Sequence, residues 1–358
     1  MSCSPAGRGA DTIVLPSNTN VILSAVYAIS YLAGPAGLPT ISSQITIEGN
    51  GTTISRQGDA PDFFLMNAQR DLTLESLTLS GGSGGLFNFG KLSIKKSTIS
   101  GNSANSGGGI FNYYGIAKIE NSTISGNTAN YGGGIGNGNY FYGNYWGNGA
   151  TVSLKNSVIA GNQASVAPEI GNFGIVTANH FNLFGTNGSA GVIGFIPGRN
   201  DIVPAAGVQI ADLLGPLDNN GGPTQTHAPL AGSPAIDAGH PSGCRTEIEA
   251  LLITDQRGFV RNFDGNHDGF FRCDIGAVES GAEALGPLLV LAASRLLDAE
   301  IGVPYTSPSL ITGGVQPYSI DFMAGALPPG LIYDPITNTI SGTPTTFGLK
   351  SFRLRITD

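Results

Sequence analysis

A short acidic stretch, DGNHDG, places side-chain oxygens at alternate positions. Asp264, Asn266 and Asp268 match the start of a calcium-binding loop, in which alternate oxygen ligands point inward and a glycine permits the sharp turn. The twelfth position of such a loop holds a bidentate Glu, but here it is Ile275, and Asp274 beside it is the available substitute. The pattern predicts calcium, bound by Asp264, Asn266, Asp268 and Asp274. The alternative is a solvated turn without metal.

A ten-residue segment at 139–148, NYFYGNYWGN, contains five aromatic side chains. Exposed aromatic clusters mark binding surfaces, and their flat faces suit stacking against sugars. The alternative is that the segment packs on itself. The predicted ligand-binding residues are Tyr113, Tyr114, Tyr140, Tyr142, Tyr145 and Trp146.

Carboxylates are scarce where an enzyme would need them. Glycoside hydrolysis requires two carboxylates facing one cleft, and a lyase requires a base beside charge-stabilising groups. Between residues 81 and 200 the chain has no Asp and only Glu120 and Glu169. Glu120, beside Asn121 at a strand end, is expected to be solvated. No catalytic residue is therefore assigned, and a polysaccharide lyase or glycoside hydrolase is the alternative function.

The elements that position these groups are repeats. Residues 97–112 and 122–137 are near copies 25 positions apart, and a third copy begins at Ser157, after the aromatic insertion. Such self-similarity predicts a solenoid, because one coil cannot bury its apolar face alone. The strands alternate apolar and polar residues, which favours β-structure with one buried face.

Aligned copies give columns of like residues. Asn102, Asn127 and Asn162 align after a glycine and predict an amide ladder along the axis. Because crossovers between parallel strands are nearly always right-handed, the prediction is an all-β, right-handed parallel β-helix. The predicted apolar columns are Leu79, Ile99, Ile124 and Ile159; Leu74, Ile94, Ile119 and Leu154; and Ile110 with Ile135.

Composition limits the classes of partner that the protein is expected to bind. A net charge of −8 over 358 residues argues against nucleic acid as a partner. No apolar run is long enough to span a bilayer, and the start lacks the pattern of a signal peptide. Of three cysteines, Cys244 and Cys273 are expected to pair, leaving Cys3. The chain stops on an expected strand at 352–357, which predicts a fragment cut inside its last module.

Three resemblances cover most of the chain. Residues 38–185 resemble bacterial surface β-helix repeat proteins through strings such as NSTISGNTANYGGGIGN. Residues 213–279 resemble choice-of-anchor Q domain proteins through LLGPLDNNGGPTQTHAPLAGSPAIDAG, DQRGF and RCDIGAVE. Residues 287–358 resemble Ig-like (cadherin-like) domains through LPPGL and ISGTPTTFG. The first two imply secreted, surface-attached proteins of pectin-lyase-like fold without an established activity.

The predicted organisation has three parts. Residues 1–200 form a capped β-helix, 201–282 an end region that closes it, and 283–358 an incomplete Ig-like module that acts as a spacer. The predicted function is a non-enzymatic extracellular or bacterial cell-surface scaffold or adhesin, with a glycan or a neighbouring cell-surface ligand as partner. Calcium is the one cofactor expected. A third hypothesis, ice binding through Thr78, Thr98 and Thr123, is weakened because Val158 breaks that column.

Overall fold

The structure is a computed structural model of an all-β protein with two compact units, Met1–Ala284 and Leu285–Asp358. It describes residues 10–17, 19–30, 33–141, 144–146, 149–245, 251–282, 290–291, 296, 298–308, 310–312, 319–334, 337 and 339–357. Within this described part, no helix is both long and apolar enough to cross a membrane.

In its described residues, the first unit contains strands β1–β27 and one short helix. In chain order they are β1 (Asp11–Val14), β2 (Asn20–Leu23), β3 (Ala28–Ser30), β4 (Gly34–Ala36), β5 (Ile45–Arg56), β6 (Met66–Ala68), β7 (Leu72–Ser80), β8 (Leu86–Asn88), β9 (Lys91–Lys95), β10 (Thr98–Ser100), β11 (Ser103–Ser106), β12 (Ile110–Asn112), β13 (Ile116–Glu120), β14 (Thr123–Ser125), β15 (Thr128–Tyr131), β16 (Ile135–Asn137), β17 (Asn139–Phe141), β18 (Asn144–Trp146), β19 (Thr151–Lys155), β20 (Val158–Ile159), β21 (Gln163–Val166), β22 (Ile170–Asn172), β23 (Ile175–Thr177), β24 (Leu183–Phe184), β25 (Val192–Ile193), α1 (Ile210–Leu213), β26 (Asp218–Asn219) and β27 (Gln225–Thr226).

These strands form a parallel solenoid. A complete coil contains four strands, as in β9 to β12, β13 to β16 and β19 to β22, and each strand pairs in parallel with its equivalent in the next coil. The long strand β7 pairs with both β9 and β10, so one twelve-stranded sheet bends around two sides of the coil. The predicted stacking of parallel coils is confirmed.

The apolar columns predicted from the sequence form the core. Ile99 pairs in register with Leu79 and Ile124, and Ile119 pairs with Ile94 and Leu154. All of these side chains are buried in one continuous cluster that runs along the axis. Burying an Ile or Leu side chain stabilises the folded state by about 1.5–3 kcal/mol, so the stacked columns are a major source of stability.

Residues 213–245 and 251–279, which we call the lateral segment, run along the side of the coils. The Thr78 hydroxyl donates to the Gln225 carbonyl oxygen at 2.8 Å, and the Ala277 N–H donates to the Thr123 hydroxyl at 3.1 Å. The sequence led us to expect that this region closes the end of the helix, but these bonds place it against the face of several coils. It buries the threonine column, so Thr78 and Thr123 cannot present a surface to ice.

A buried charged network and a disulfide hold the lateral segment together. Cys244 and Cys273 are bonded, as predicted. Arg257 pairs with Asp255 at 2.8 Å, and Arg261 lies 3.5 Å from Glu279 in a fully buried pair. The polar side chains of this segment therefore serve to fold a strand-poor region onto the solenoid.

The strands described in the second unit are β28 (Val290–Leu291), β29 (Tyr305–Thr306), β30 (Ile311–Thr312), β31 (Ser319–Gly325), β32 (Leu331–Asp334), β33 (Thr339–Gly342) and β34 (Phe352–Thr357). They form short antiparallel pairings: β29 and β32 flank β33, β31 pairs with β34, and β28 pairs with β30. Leu310 and Ile340 form the buried centre of this unit.

Candidate ligand-binding groove

The groove lies at the corner of the coil where β12-type strands turn into β13-type strands. A second amide ladder, absent from the sequence-based predictions, holds this corner: Asn88 donates to Asn112 at 2.7 Å, Asn112 to Asn137 at 2.7 Å, and Asn137 to Asn172 at 2.6 Å. The four side chains are buried, so each bond forms in a poorly solvated environment and fixes one turn against the next. The residues that follow the ladder in each coil therefore project from a rigid edge.

Aromatic side chains follow the ladder in two successive coils. Phe89 comes directly after Asn88, while Tyr113 and Tyr114 follow the next ladder residue. The Phe89 ring lies 5.4 Å from the Tyr114 ring and 6.3 Å from the Tyr113 ring, centre to centre. We call Phe89, Tyr113 and Tyr114 the aromatic corner. Phe89 and Tyr114 are 38% and 43% exposed, so their faces are available to a ligand.

An open groove of about 730 Å³ runs beside the aromatic corner. Its lining combines aromatic, charged and amide side chains, a mixture that suits an amphipathic ligand. The lining residues are Ser42, Gln69, Arg70, Asp71, Phe89, Gly90, Lys91, Tyr114 and Ile116.

Glycine is required on the floor of this groove. A Cβ atom at Gly90 would overlap the backbone of Arg70 in the preceding coil. Gly90 therefore lets the two turns approach closely, and Arg70 and Lys91 emerge from neighbouring coils side by side.

Asp71 is the one carboxylate among the described lining residues, and it lies near the Lys91 ammonium group. One Asp71 carboxylate oxygen is 4.0 Å from the Lys91 ammonium nitrogen, and both side chains are substantially exposed. A contact this long between solvated groups contributes little to stability. The pair is therefore free to rearrange around a ligand.

The predicted aromatic residues divide between described and undescribed positions. Tyr113 and Tyr114 lie at the groove, and burial together with the neighbouring Tyr114 raises the pKa of the Tyr113 hydroxyl. The backbones of Tyr140 and Tyr145 pair with each other in the antiparallel hairpin β17–β18, which also carries Trp146. Tyr142 lies outside the described residues. The binding role of this hairpin stays a prediction.

The predicted calcium ligands bond largely to backbone groups. Asp264 accepts from the N–H groups of Asp268 and Gly269, and Asp268 accepts from Phe270. Asp274 is buried in the lateral segment and accepts from the N–H groups of Asp237 and Ser280.

Asn266 accepts from the Asp268 N–H at 2.9 Å within the same loop. In the described part of the chain, no three His, Cys, Asp or Glu side chains converge as metal ligands. Calcium stays a prediction, which titration calorimetry on the chain and on Asp268→Ala tests.

Both carboxylates considered for catalysis on the coils are buried. Glu120, expected to be solvated, is only 6% exposed and stands in register between Lys95 and Lys155 on the two neighbouring strands. Glu169 accepts from the amide of Asn162 at 2.6 Å and so ends the predicted Asn102–Asn127–Asn162 ladder. Neither residue lines the groove.

Sequence reasoning missed four charged or aromatic groove residues, Arg70, Asp71, Phe89 and Lys91. Their signal was present but weak. Aligning the turns after Ala68, Asn88 and Asn112, which pair in register, would have placed Arg70, Phe89 and Tyr114 at one corner.

Comparison with known proteins identifies one part of the chain. No curated protein and no solved structure matches the chain. The antiparallel pairing of the second unit agrees with a match to a family of Ig-like domains. Residues 290–358 match the family model described as "Putative Ig domain".

Proposed function

We propose that the protein is a non-enzymatic scaffold of the bacterial cell surface or extracellular space that binds an extended saccharide across its coils. The observation that carries this proposal is the aromatic corner beside an open groove of charged and amide groups. Flat exposed rings stack against the apolar faces of sugars, and side chains such as Gln69 and Asp71 can bond to hydroxyl groups.

The groove crosses four successive coils. Ser42, Gln69, Phe89 and Tyr114 each come from a different coil, as the pairing of Ile41 with Ala68 and of Asn88 with Ala68 and Asn112 requires. Neighbouring strands are about 4.8 Å apart, so four coils span about 15 Å. A linear saccharide lying parallel to the solenoid axis would place successive sugar rings against successive coils.

Other features support the surface location and the finer fold. The disulfide and the Ig-like unit are compatible with an extracellular protein. The stacked parallel coils and the sequence resemblance support a right-handed, pectin-lyase-like β-helix of the choice-of-anchor Q family. In this proposal the Ig-like unit spaces the solenoid from its attachment.

Calorimetry with a length series of oligosaccharides tests the proposal on the full chain. Affinity is expected to rise up to about four sugar residues, the length that four coils at ~4.8 Å can accommodate. Phe89→Ala and Tyr114→Ala are each expected to weaken binding about tenfold, because a central aromatic contact commonly contributes at least 1.4 kcal/mol.

Exposed aromatics elsewhere provide matched controls. Tyr27 and Phe271 are 72% and 70% exposed and do not line the groove, so Tyr27→Ala and Phe271→Ala should bind like the parent chain. Undiminished binding by the Phe89→Ala/Tyr114→Ala double variant would contradict the proposal. Release of unsaturated or reducing-end products, lost in Asp71→Asn, would favour the enzymatic alternative instead.

A further inference from the structure

Two cations line the groove in a protein of net charge −8. Arg70 and Lys91 emerge from adjacent coils, and Asp71 is the one anionic side chain beside them. The lining is therefore locally cationic, whereas the chain as a whole is acidic. Such a reversal of sign raises the local concentration of anionic ligands relative to neutral ones.

Arg70 differs from three other arginines of the first unit, whose guanidinium groups are already bonded. Arg56 donates to the carbonyl oxygens of Gly81 and Ala60, and Arg257 and Arg261 are paired within the lateral segment. By contrast, no hydrogen bond or ion pair joins the Arg70 guanidinium to another residue that the structure describes. Its five N–H donors are exposed beside the aromatic corner.

The position of Arg70 matches a particular ligand geometry. A sugar stacked on Phe89 or Tyr114 would hold a ring substituent beside the turns that carry Arg70 and Lys91. A planar guanidinium binds carboxylate or sulfate oxygens with two parallel hydrogen bonds, and an ammonium group adds a point charge. Lys91 can exchange its long contact with Asp71 for such a ligand.

We propose that the groove selects anionic saccharides, with Arg70 and Lys91 binding the acid group of a sugar whose ring stacks on the aromatic corner. This inference rests on the proposed saccharide-binding function and specifies its ligand class. The inference predicts that the protein binds an anionic saccharide more tightly than a neutral saccharide of the same length and linkage.

A tetramer of a hexuronic acid and its fully methyl-esterified form are suitable probes, because they differ only in the acid groups. The full chain should bind the acid about tenfold more tightly than the ester at low salt, because hydrogen bonds between charged groups are the stronger kind. The preference should shrink as salt is raised, because exposed charges are screened. Arg70→Gln should bring the ratio close to one, and Lys91→Gln should lower it partly, in both cases mainly by weakening binding of the acid.

Arg199 gives a matched control. It is exposed, does not line the groove, and its guanidinium has no partner among the described residues, so Arg199→Gln should keep the parent ratio. Equal affinities of the parent chain for acid and ester would overturn the charge selectivity and leave saccharide binding standing. Failure to bind either tetramer would overturn the proposed function and this inference with it.

Discussion

Glu169 should make the stability of the solenoid fall as pH rises. Burial raises the pKa of this carboxyl from its ordinary 4.5 to about 8, although three N–H donors from Gly161 and Asn162 partly oppose the rise. Between these two pH values the folded state binds more protons than the unfolded state. The free energy of unfolding therefore decreases from pH 4.5 to about 8 and then levels off.

The pKa difference sets the size of the effect. At 1.36 kcal/mol per pH unit, it corresponds to at most about 4–5 kcal/mol for Glu169 alone. Burial also raises the pKa of Asp274 and Glu279, which adds to the decrease. Glu169→Gln cannot ionise, so its stability relative to the parent chain should improve progressively between pH 5 and pH 9.

Denaturant unfolding at several pH values measures this difference. Circular dichroism follows the unfolding of the whole chain, and fluorescence of its single tryptophan, Trp146, follows the unfolding of the first unit. Exposed Glu48 provides a control, because Glu48→Gln removes the same charge from the surface. A stability difference between Glu169→Gln and the parent chain that does not change with pH would refute the reasoning.

Three further predictions concern the contacts that hold the coils and the lateral segment. Asn112→Ala removes bonds to Asn88 and Asn137 and should lower the free energy of unfolding by about 2–4 kcal/mol in denaturant titration. Asn105→Ala, at an exposed contact of 3.4 Å, should change it by less than about 0.5 kcal/mol, and equal losses would contradict the ladder's role. Gln256→Met keeps the side-chain volume but removes the bonds to Thr78 and Thr98, so amide hydrogen exchange in the lateral segment should become faster. Gln57→Met, the same substitution at an exposed position, should leave that exchange unchanged. Unchanged exchange in Gln256→Met would contradict the role of these bonds. Cys244→Ser with Cys273→Ser opens a loop of 29 residues and should lower the free energy of unfolding by about 3–4 kcal/mol relative to the oxidised parent chain; equal stability of the oxidised and reduced parent chain would contradict it.

The repeats made the solenoid predictable because each coil has the same pattern of apolar, Asn and Gly residues. Ile99 and Ile124 align in the sequence and pair in the structure, since parallel stacking keeps equivalent residues in register. The ladder through Asn127 was predictable for the same reason. The ladder through Asn112 carried the same signal at an equal spacing, but the turns that follow its residues differ in length and sequence.

The lateral segment was unpredictable for a physical reason. Gln256 bonds to Thr78 across 178 residues, and no periodic pattern links the two sequences. A run rich in Gly, Pro and Asp satisfies its backbone through side chains such as Asp255 and Arg257, and propensity cannot reveal which surface such a run covers. The groove was missed similarly, because Arg70 and Tyr114 converge only after the coils stack.

The lateral segment also constrains the number of coils that it spans. Solenoids ordinarily lengthen by duplicating a repeat, since each coil contacts only its neighbours. Here Pro223 lies against Gly51, and Gln256 bonds to Thr98. The Gly276 N–H donates to the Asn156 carbonyl oxygen, so one segment contacts several coils at fixed positions along the axis. An extra coil would shift every bond beyond it by one strand spacing. The segment therefore disfavours the addition or loss of a whole coil. Differences in length between related chains should be confined to insertions within coils, like the one at 139–148.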